Sequence, residues 1–168
     1  MNVLPGWAVP VPGDTVPMRI ISPAVSVVPD CERILRTLPA WFGIESALVE
    51  YAAATATHPT FVADDGAGAK AFLSLKRHCL ESWEIHCIAV DATFRNRGYG
   101  RKLLEHAEQW LRQNSAVFLQ VKTLASTHPS PEYGETRKFY ARVGFVPLEV
   151  HSNLWGPHLP VLQMIKVL

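Results

Sequence analysis

The sequence predicts a single mixed α/β domain, and three features of the chain lead to that prediction. Short apolar runs between residues 60 and 90 have the length and spacing of an antiparallel meander. A strongly amphipathic segment, Tyr99 to Gln113, separates the last of these runs from a further apolar run, Ala116 to Lys122. A meander that continues into a strand–helix–strand unit gives one mixed sheet with helices on its faces. At 168 residues, the chain is long enough for one such domain with a sizeable core.

Residues 1–17 differ in composition from everything that follows. They contain four prolines and a single charged side chain, Asp14, so neither a helix nor a central strand is expected there. We interpret them as a flexible, proline-rich N-terminal arm, with the folded domain spanning residues 18–168. A second interpretation stays open, in which apolar residues of the arm such as Trp7 pack against a partner subunit.

The first part of the domain is predicted to be mainly helical. Met18 to Ser22 has the composition of a short first strand, and Asp30 is predicted to cap a helix from Cys31 to Leu38. A second helix is expected over Glu45 to Ala54. The corner between these helices carries Trp41 and Phe42, an aromatic pair that both core packing and ligand contact would explain.

The meander consists of three predicted strands: Thr60 to Ala63, Ala69 to Lys76 and Trp83 to Val90. The residues Asp64 to Gly68 have the composition of a hairpin turn between the first two. Consecutive strands joined by such short connections pair in antiparallel fashion, which predicts one half of the sheet.

The remaining elements complete the sheet. Ala116 to Lys122 is almost continuously apolar, which is typical of a strand buried on both faces and parallel to a neighbour. Ser130 and Pro131 predict the start of a helix that ends at Val143, with Gly144 as its left-handed cap. Two closing strands, Val146 to Val150 and Val161 to Leu168, bring the predicted total to about six or seven.

Composition excludes several classes of function. The net charge is +1, from 16 basic and 15 acidic residues, so neither a nucleic-acid footprint nor a polybasic membrane patch is expected. No apolar stretch reaches the roughly 18 residues of a membrane span. The three cysteines lack C-x-x-C spacing, and the seven histidines lack the spacing of a helical metal site. We therefore expect a cytoplasmic protein without a metal.

The turn before the amphipathic helix is predicted to bind an anion. It has the sequence Arg-Asn-Arg-Gly-Tyr-Gly-Arg over residues 95–101, between a strand and the N-terminus of a helix. Free N–H groups and the helix dipole favour negative charge there. Gly98 and Gly100 would permit positive φ, and the three arginines add charge. A pyrophosphate is the expected ligand, although the spacing matches neither a dinucleotide fingerprint nor a P-loop.

The same turn resembles the Q/R-x-x-G-x-G/A signature of the GNAT superfamily of acyl-CoA-dependent N-acyltransferases, with Arg95, Gly98 and Gly100 at the marked positions. The strand Trp83 to Val90 before it and the segment Phe139 to Phe145 after it strengthen the resemblance. It implies a GNAT fold with a single mixed sheet, whose strands splay apart at an acetyl-CoA cleft. It also implies direct transfer of an acetyl group from acetyl-CoA to a primary amine.

The resemblance assigns the donor site to two stretches of this chain. The backbone of Ile88, Ala89 and Val90 would pair with the pantetheine arm, and one N–H group there would polarise the thioester carbonyl. The pyrophosphate would be held by the residues of the turn, namely Arg95, Asn96, Arg97, Gly98, Tyr99, Gly100 and Arg101.

The resemblance also implies two catalytic residues. Glu84 would act as general base through water, with its pKa raised by burial, while the alternative is a structural carboxylate paired with an Arg or His. His86, on the same strand face by alternation, is the rival base. Tyr140 would be the general acid, or else a packing residue. Tyr133 stands where many family members carry a donor-contacting asparagine.

The acceptor site is less well defined by the sequence. Trp41, Phe42, His86, His128 and Tyr133 are the candidate acceptor-binding residues. The aromatic corner favours a partly apolar small-molecule amine. A protein or peptide N-acetyltransferase, a non-catalytic acyl-CoA-binding or regulatory module, and an interaction protein are the alternatives. Dimers are common in the family, so a homodimer is one expected assembly.

Overall fold

The computed structural model describes residues 18–21, 23 and 27–168; the N-terminal arm lies outside the described residues. The described elements are β1 (Arg19–Ile21), α1 (Val28–Arg36), α2 (Glu45–Ala54), β2 (Thr60–Asp64), β3 (Ala69–Arg77), β4 (Ser82–Val90), α3 (Tyr99–Gln113), β5 (Phe118–Leu124), α4 (Pro131–Arg142), β6 (Val146–His151) and β7 (Val161–Val167). A short 3₁₀ turn, Ala92–Phe94, precedes α3. No helix in the described part is long and apolar enough to cross a membrane.

The strands form one mixed sheet in the order β1-β2-β3-β4-β5-β7-β6. Every neighbouring pair is antiparallel except β4 and β5, which run parallel because α3 crosses over between them. The predicted meander, the strand–helix–strand unit and the mixed sheet are therefore confirmed.

Helices pack on both faces of the sheet, as predicted. On one face, α3 and α4 cover a core that includes Leu73, Ile85 and Leu119, and α3 contributes Leu103, Leu104, Ala107 and Leu111. On the other face, α1 and α2 bury Ile34, Leu35 and Leu48 against side chains of β2, β3 and β4. The α1–α2 pair covers only this half of the sheet, so the β5–β7–β6 half is more open on that side.

The predicted cap of the first helix is wrong. The helix α1 begins at Val28, and its N-cap residue, Val27, makes no side-chain hydrogen bond. Asp30 lies within the first turn, where its negative charge interacts favourably with the positive end of the helix dipole. Pro29 explains the earlier start, because proline fits the first helical turn, where its missing N–H has no partner to lose.

Candidate active site

A cleft opens where β4 and β5 separate. The two strands pair from Ser82 and Phe118 as far as Ile85 and Val121, and the pairing then stops. Beyond that point β4 continues to Val90 while remaining paired with β3. The backbone of residues 86–90 therefore presents an open strand edge to the cleft, and the predicted splay of the sheet is confirmed.

A β-bulge lies at the start of this open edge. Ser74 of β3 is opposite Cys87, but Leu75 is opposite Ile85, so His86 is the extra residue of β4. A bulge interrupts strand alternation and redirects side chains. The His86 ring lies 5.2 Å from the ring of Tyr51 and 4.7 Å from that of His58, on the face covered by α1 and α2.

The cleft has a volume of about 720 Å³ and runs between β4 and α4. The turn before α3 lies at its mouth, and Lys122 and Thr123 lie at its apex, immediately after the last β4–β5 pair. The α1–α2 corner and Trp155 border it on the open side of the sheet. The cleft thus joins an outer, basic end to an inner end lined by aromatic rings, His86 and Lys122.

The turn at the mouth has the geometry of an anion site. Asn96 and Gly98 both adopt left-handed backbone conformations, with φ of 61° and 82°. Gly98 is the N-cap of α3, and a Cβ placed there would meet nothing within 4 Å. The N–H groups of the first turn of α3 have no partner within the helix, so they are available to a ligand.

The second glycine of the turn works differently from the prediction. Gly100 lies inside α3 and does not adopt positive φ, so that expectation is wrong for this residue. A Cβ at Gly100 would lie 3.6 Å from the Phe139 ring and 3.7 Å from Val90. Because Gly100 has no side chain, the space between α3, α4 and β4 stays open to the cleft.

The arginines of the turn separate into two groups. Arg95 and Arg101 line the cleft, and the Arg95 guanidinium stacks 4.4 Å from the centre of the Trp41 ring. Arg97 instead lies over the Phe94 ring, at 5.1 Å, and is not among the cleft-lining residues. Arg142 of α4, which the sequence analysis did not select, supplies a further cation to the lining.

Glu84 is held behind the apex of the cleft. Its Oε2 accepts a hydrogen bond from Lys122 Nζ at 2.6 Å and lies 2.6 Å from His78 Nε2. Burial alone would raise the pKa of Glu84, but the bonds and charges of Lys122 and His78 outweigh it and lower that pKa. The expected raised pKa is therefore wrong. Glu84 is not among the lining residues, whereas Lys122 is.

His86 has the opposite environment. His86 is one of the residues that line the cleft, and its Nε2 is buried without a hydrogen-bond partner among the described residues. Burial, followed by the neighbouring His58, lowers the pKa of His86, and Glu84 opposes this shift. The imidazole is therefore neutral at pH 7 and can accept a proton.

Tyr140 lines the cleft from α4, with 4% of its surface exposed. Its ring packs edge-on against Phe139 and Phe145, at 5.4 and 5.5 Å between centroids. Burial raises the pKa of the phenol well above its ordinary value, so the hydroxyl stays protonated. The residue therefore combines a packing role with a protonated group at the cleft wall.

The aromatic corner between α1 and α2 is tied to α4. Trp41 Nε1 donates to Thr136 Oγ1 at 3.0 Å, and the Tyr133 hydroxyl donates to the Trp41 carbonyl at 3.2 Å. Trp41, Phe42 and Tyr133 all line the cleft, but His128, also selected from the sequence, does not.

Tyr51 and Thr136 are further lining residues that the sequence analysis missed. Each is an ordinary residue on a helix, and no motif marks either of them. Their place in the cleft follows from how α2 and α4 pack around the sheet, so only tertiary structure reveals it.

Comparisons with known proteins bear on the family and the fold. Residues 56–147, more than half of the chain, match the model of the acetyltransferase (GNAT) domain. A search of curated proteins found no match. The chain is similar to a GNAT family acetyltransferase from Elizabethkingia anophelis with acetyl-CoA bound, at 16% identity and a TM-score of 0.69, over 92% of this chain and 99% of that one.

Two more solved structures are similar over nearly their whole length. The aminoglycoside 6'-N-acetyltransferase from Enterococcus faecium has 16% identity and a TM-score of 0.69, with 89% of this chain and 97% of that one covered. The ribosomal-protein-S18-alanine N-acetyltransferase from Escherichia coli has 20% identity and a TM-score of 0.71, with coverage of 89% and 93%. At such identities the structural likeness shows the fold.

Proposed function

Since the chain belongs to the GNAT family of acetyltransferases, we propose that it transfers an acetyl group from acetyl-CoA directly to the primary amine of a small molecule. The observation that carries the proposal is the open edge of β4 beside the N-terminus of α3. An extended amide chain with a pyrophosphate at one end suits these two features, because one offers backbone pairing and the other an anion site.

The donor site follows from the same two features. The turn from Arg95 to Arg101 would hold the pyrophosphate, with left-handed Asn96 and Gly98 turning backbone N–H groups towards it. The backbone of Ile88, Ala89 and Val90 would pair with the pantetheine amides. Acetyl-CoA supplies the reactive thioester, and an N–H group of this edge polarising its carbonyl would contribute about 3–4 kcal/mol to the transition state.

We propose His86 as the group that removes a proton from the acceptor amine. Support comes from its Nε2, which has no partner among the described residues, from its position in the cleft lining, and from its pKa, which burial lowers. Glu84 is the weaker candidate, since Lys122 and His78 already bind its carboxylate and stabilise the charged form. Its proposed role is to hold Lys122.

Tyr140 is proposed to donate a proton to the sulfur that leaves the acetyl group. A phenol whose pKa is raised is a weak acid, but it remains protonated and can stabilise a developing thiolate by hydrogen bonding. The acetyl transfer forms the amide C–N bond and breaks the C–S bond. The amine proton passes to His86, and the thiolate receives a proton from Tyr140. The proton held by His86 then returns through water to the Tyr140 oxygen, so that both residues are restored.

The test is transfer of labelled acetyl groups to a cell extract divided into metabolite and protein fractions. Label in the metabolite fraction, absent with a Gly98→Glu variant, is the expected result. Label in the protein fraction alone would contradict the small-molecule acceptor and favour a protein or peptide acceptor. Binding of acetyl-CoA without transfer to either fraction would instead indicate a non-catalytic acyl-CoA-binding module.

A further inference from the structure

Among the described residues, the inner end of the cleft offers a cation and no carboxylate to an incoming amine. Of the described residues that line the cleft, Glu135 alone carries a carboxylate, and that side chain pairs with Lys138 on the exposed surface of α4. Lys122 is the charged residue at the apex, where the acetyl group would have to meet the amine. An acceptor with several ammonium groups would find no carboxylate there to bind them.

Lys122 is fixed in place but has free hydrogen-bonding capacity. Its Nζ makes one hydrogen bond among the described residues, to Glu84, while an ammonium group has three donors. About 21% of its side chain is exposed, against 11% for Glu84. Glu84 and His78 lie behind Lys122. The ammonium group of Lys122 therefore faces the cleft, and the carboxylate of Glu84 does not.

The neighbours of Lys122 add no negative charge on the cleft side. Gln120 lies two residues before Lys122 on β5, on the same face of the sheet, and Gln163 is opposite Lys122 on β7. These two amides hydrogen-bond to each other, and Gln163 Oε1 lies 2.9 Å from His151 Nε2. Their polar groups are therefore occupied within this row, whereas two donors of Lys122 remain available.

Aromatic side chains surround the other sides of this end. Trp41, Phe42, Tyr51 and Trp155 all line the cleft, and Phe42 packs edge-on against Tyr51 at 5.8 Å. Such a lining favours an apolar body on the acceptor.

From this arrangement we propose that the acceptor is an amino-acid-like compound, whose carboxylate binds Lys122 while an apolar side chain rests on the aromatic wall. The inference rests on the proposed acetyltransferase function and names its substrate class. Lys122 is then a specificity-determining residue, and Glu84 is a positioning residue that holds its ammonium towards the cleft.

The test compares three amines with the same body: phenylalanine, phenylalaninamide and phenethylamine. The amino group of the amide is less basic than that of phenylalanine and that of phenethylamine is more basic, so the pair brackets any effect of amine pKa. A parallel series uses leucine, leucinamide and isoamylamine. We expect kcat/KM for the carboxylate compound to exceed both others by about 10- to 100-fold, as for a hydrogen bond between charged groups.

The decisive variant is Lys122→Met, which keeps the length of the side chain but removes the charge. It should abolish the preference, mainly by raising KM for the carboxylate compound, and change kcat/KM for the other two by less than about threefold. Lys166→Met is the matched control, because Lys166 also pairs with a buried glutamate, Glu108, but does not line the cleft. Its preference should equal that of the wild type.

Two results would overturn the inference. One is a wild-type protein that does not prefer the carboxylate compound, and the other is an equal loss on all three amines in Lys122→Met. If none of these amines is acetylated, transfer of labelled acetyl groups to the cell extract still decides the proposed function, and binding decides the inference separately. N-acetylphenylalanine should then bind more tightly than its amide in the presence of coenzyme A, and Lys122→Met should remove that difference; equal binding of the two would overturn the inference.

Discussion

The outer and inner ends of the cleft are built in different ways. At the outer end, the groups proposed to hold the donor are mostly backbone N–H groups from one continuous stretch, residues 88–101, and their geometry depends on the left-handed conformations of Asn96 and Gly98. At the inner end, the functional groups are side chains from α2, β4, β5 and α4 and from the β6–β7 connection. The first end depends on local conformation, and the second on how distant elements pack.

This difference has a consequence for how each end responds to substitution. A backbone site is insensitive to most side-chain changes but fails when a residue with a Cβ enters a position that requires positive φ. A side-chain site loses one function at a time, since each residue supplies a separate group. The following variants test that distinction, from the largest expected effect to the smallest.

Gly98→Glu should have the largest effect. It places a side chain at φ 82° and a carboxylate at the proposed anion site. Repulsion of like charges costs several kcal/mol, so affinity for acetyl-CoA, measured by calorimetry, should fall at least about 100-fold.

Gly68→Glu is the matched control: Gly68 has φ of 109° and open space around it, but lies in the β2–β3 turn away from the cleft. Equal loss in both variants would show that backbone strain, and not the anion site, explains the effect.

His86→Gln should lower kcat/KM about 100-fold at pH 7, a typical contribution of a general base. Burial lowers the pKa of His86 below its ordinary value of 6.5, so the wild-type rate should fall as pH drops through that lower pKa and the imidazole becomes protonated. The advantage of wild type over His86→Gln should therefore shrink at acidic pH. The charged or titratable groups that affect His86 are His58, Glu84, Lys76 and Glu50.

Glu84→Gln separates the two candidate bases in the same assay. If Glu84 only holds Lys122, this variant should keep the acidic limb of the pH profile and lose less activity than His86→Gln. A larger loss in Glu84→Gln, with the limb unchanged in His86→Gln, would return the base role to Glu84.

The two ends also differ in how well the sequence predicts them. Glycine and arginine spacing predicted the turn and the start of α3 correctly, because a strand, a turn and a helix N-terminus are local features. That this turn binds an anion stays a prediction. The low pKa of Glu84 was not predictable, because Lys122 is 38 residues away in the chain and reaches it only through the parallel pairing of β4 and β5. The contact of His86 with His58 was likewise not predictable, because His58 lies in the connection before β2 and reaches His86 only in the folded sheet.

Tyr140→Phe should have a moderate effect, about a tenfold fall in kcat with an unchanged KM for acetyl-CoA. The loss is smaller than for the base because a thiol, with an ordinary pKa near 8.5, leaves readily even without a proton. Steady-state kinetics with a fixed amine provides the measurement. Tyr133→Phe is the control on the same helix, since its hydroxyl binds the Trp41 carbonyl. An unchanged kcat in Tyr140→Phe would leave that residue with its packing role alone.

The smallest effect is expected where the two ends meet, at Trp41. Its ring supports Arg95 of the outer end, and its Nε1 donates to Thr136 of α4, so one residue connects the turn, the α1–α2 corner and the cleft wall. Trp41→Phe keeps an aromatic ring and removes the donor, and Thr136→Val removes the acceptor. Each variant should raise KM for acetyl-CoA about two- to fivefold, because a single hydrogen bond between neutral groups contributes about 1 kcal/mol.

In a double-mutant cycle the second substitution should add little to the first, since both remove the same bond. Fully additive effects would mean that the corner and α4 act independently, and the outer and inner ends would then be two separate sites that merely share a cleft.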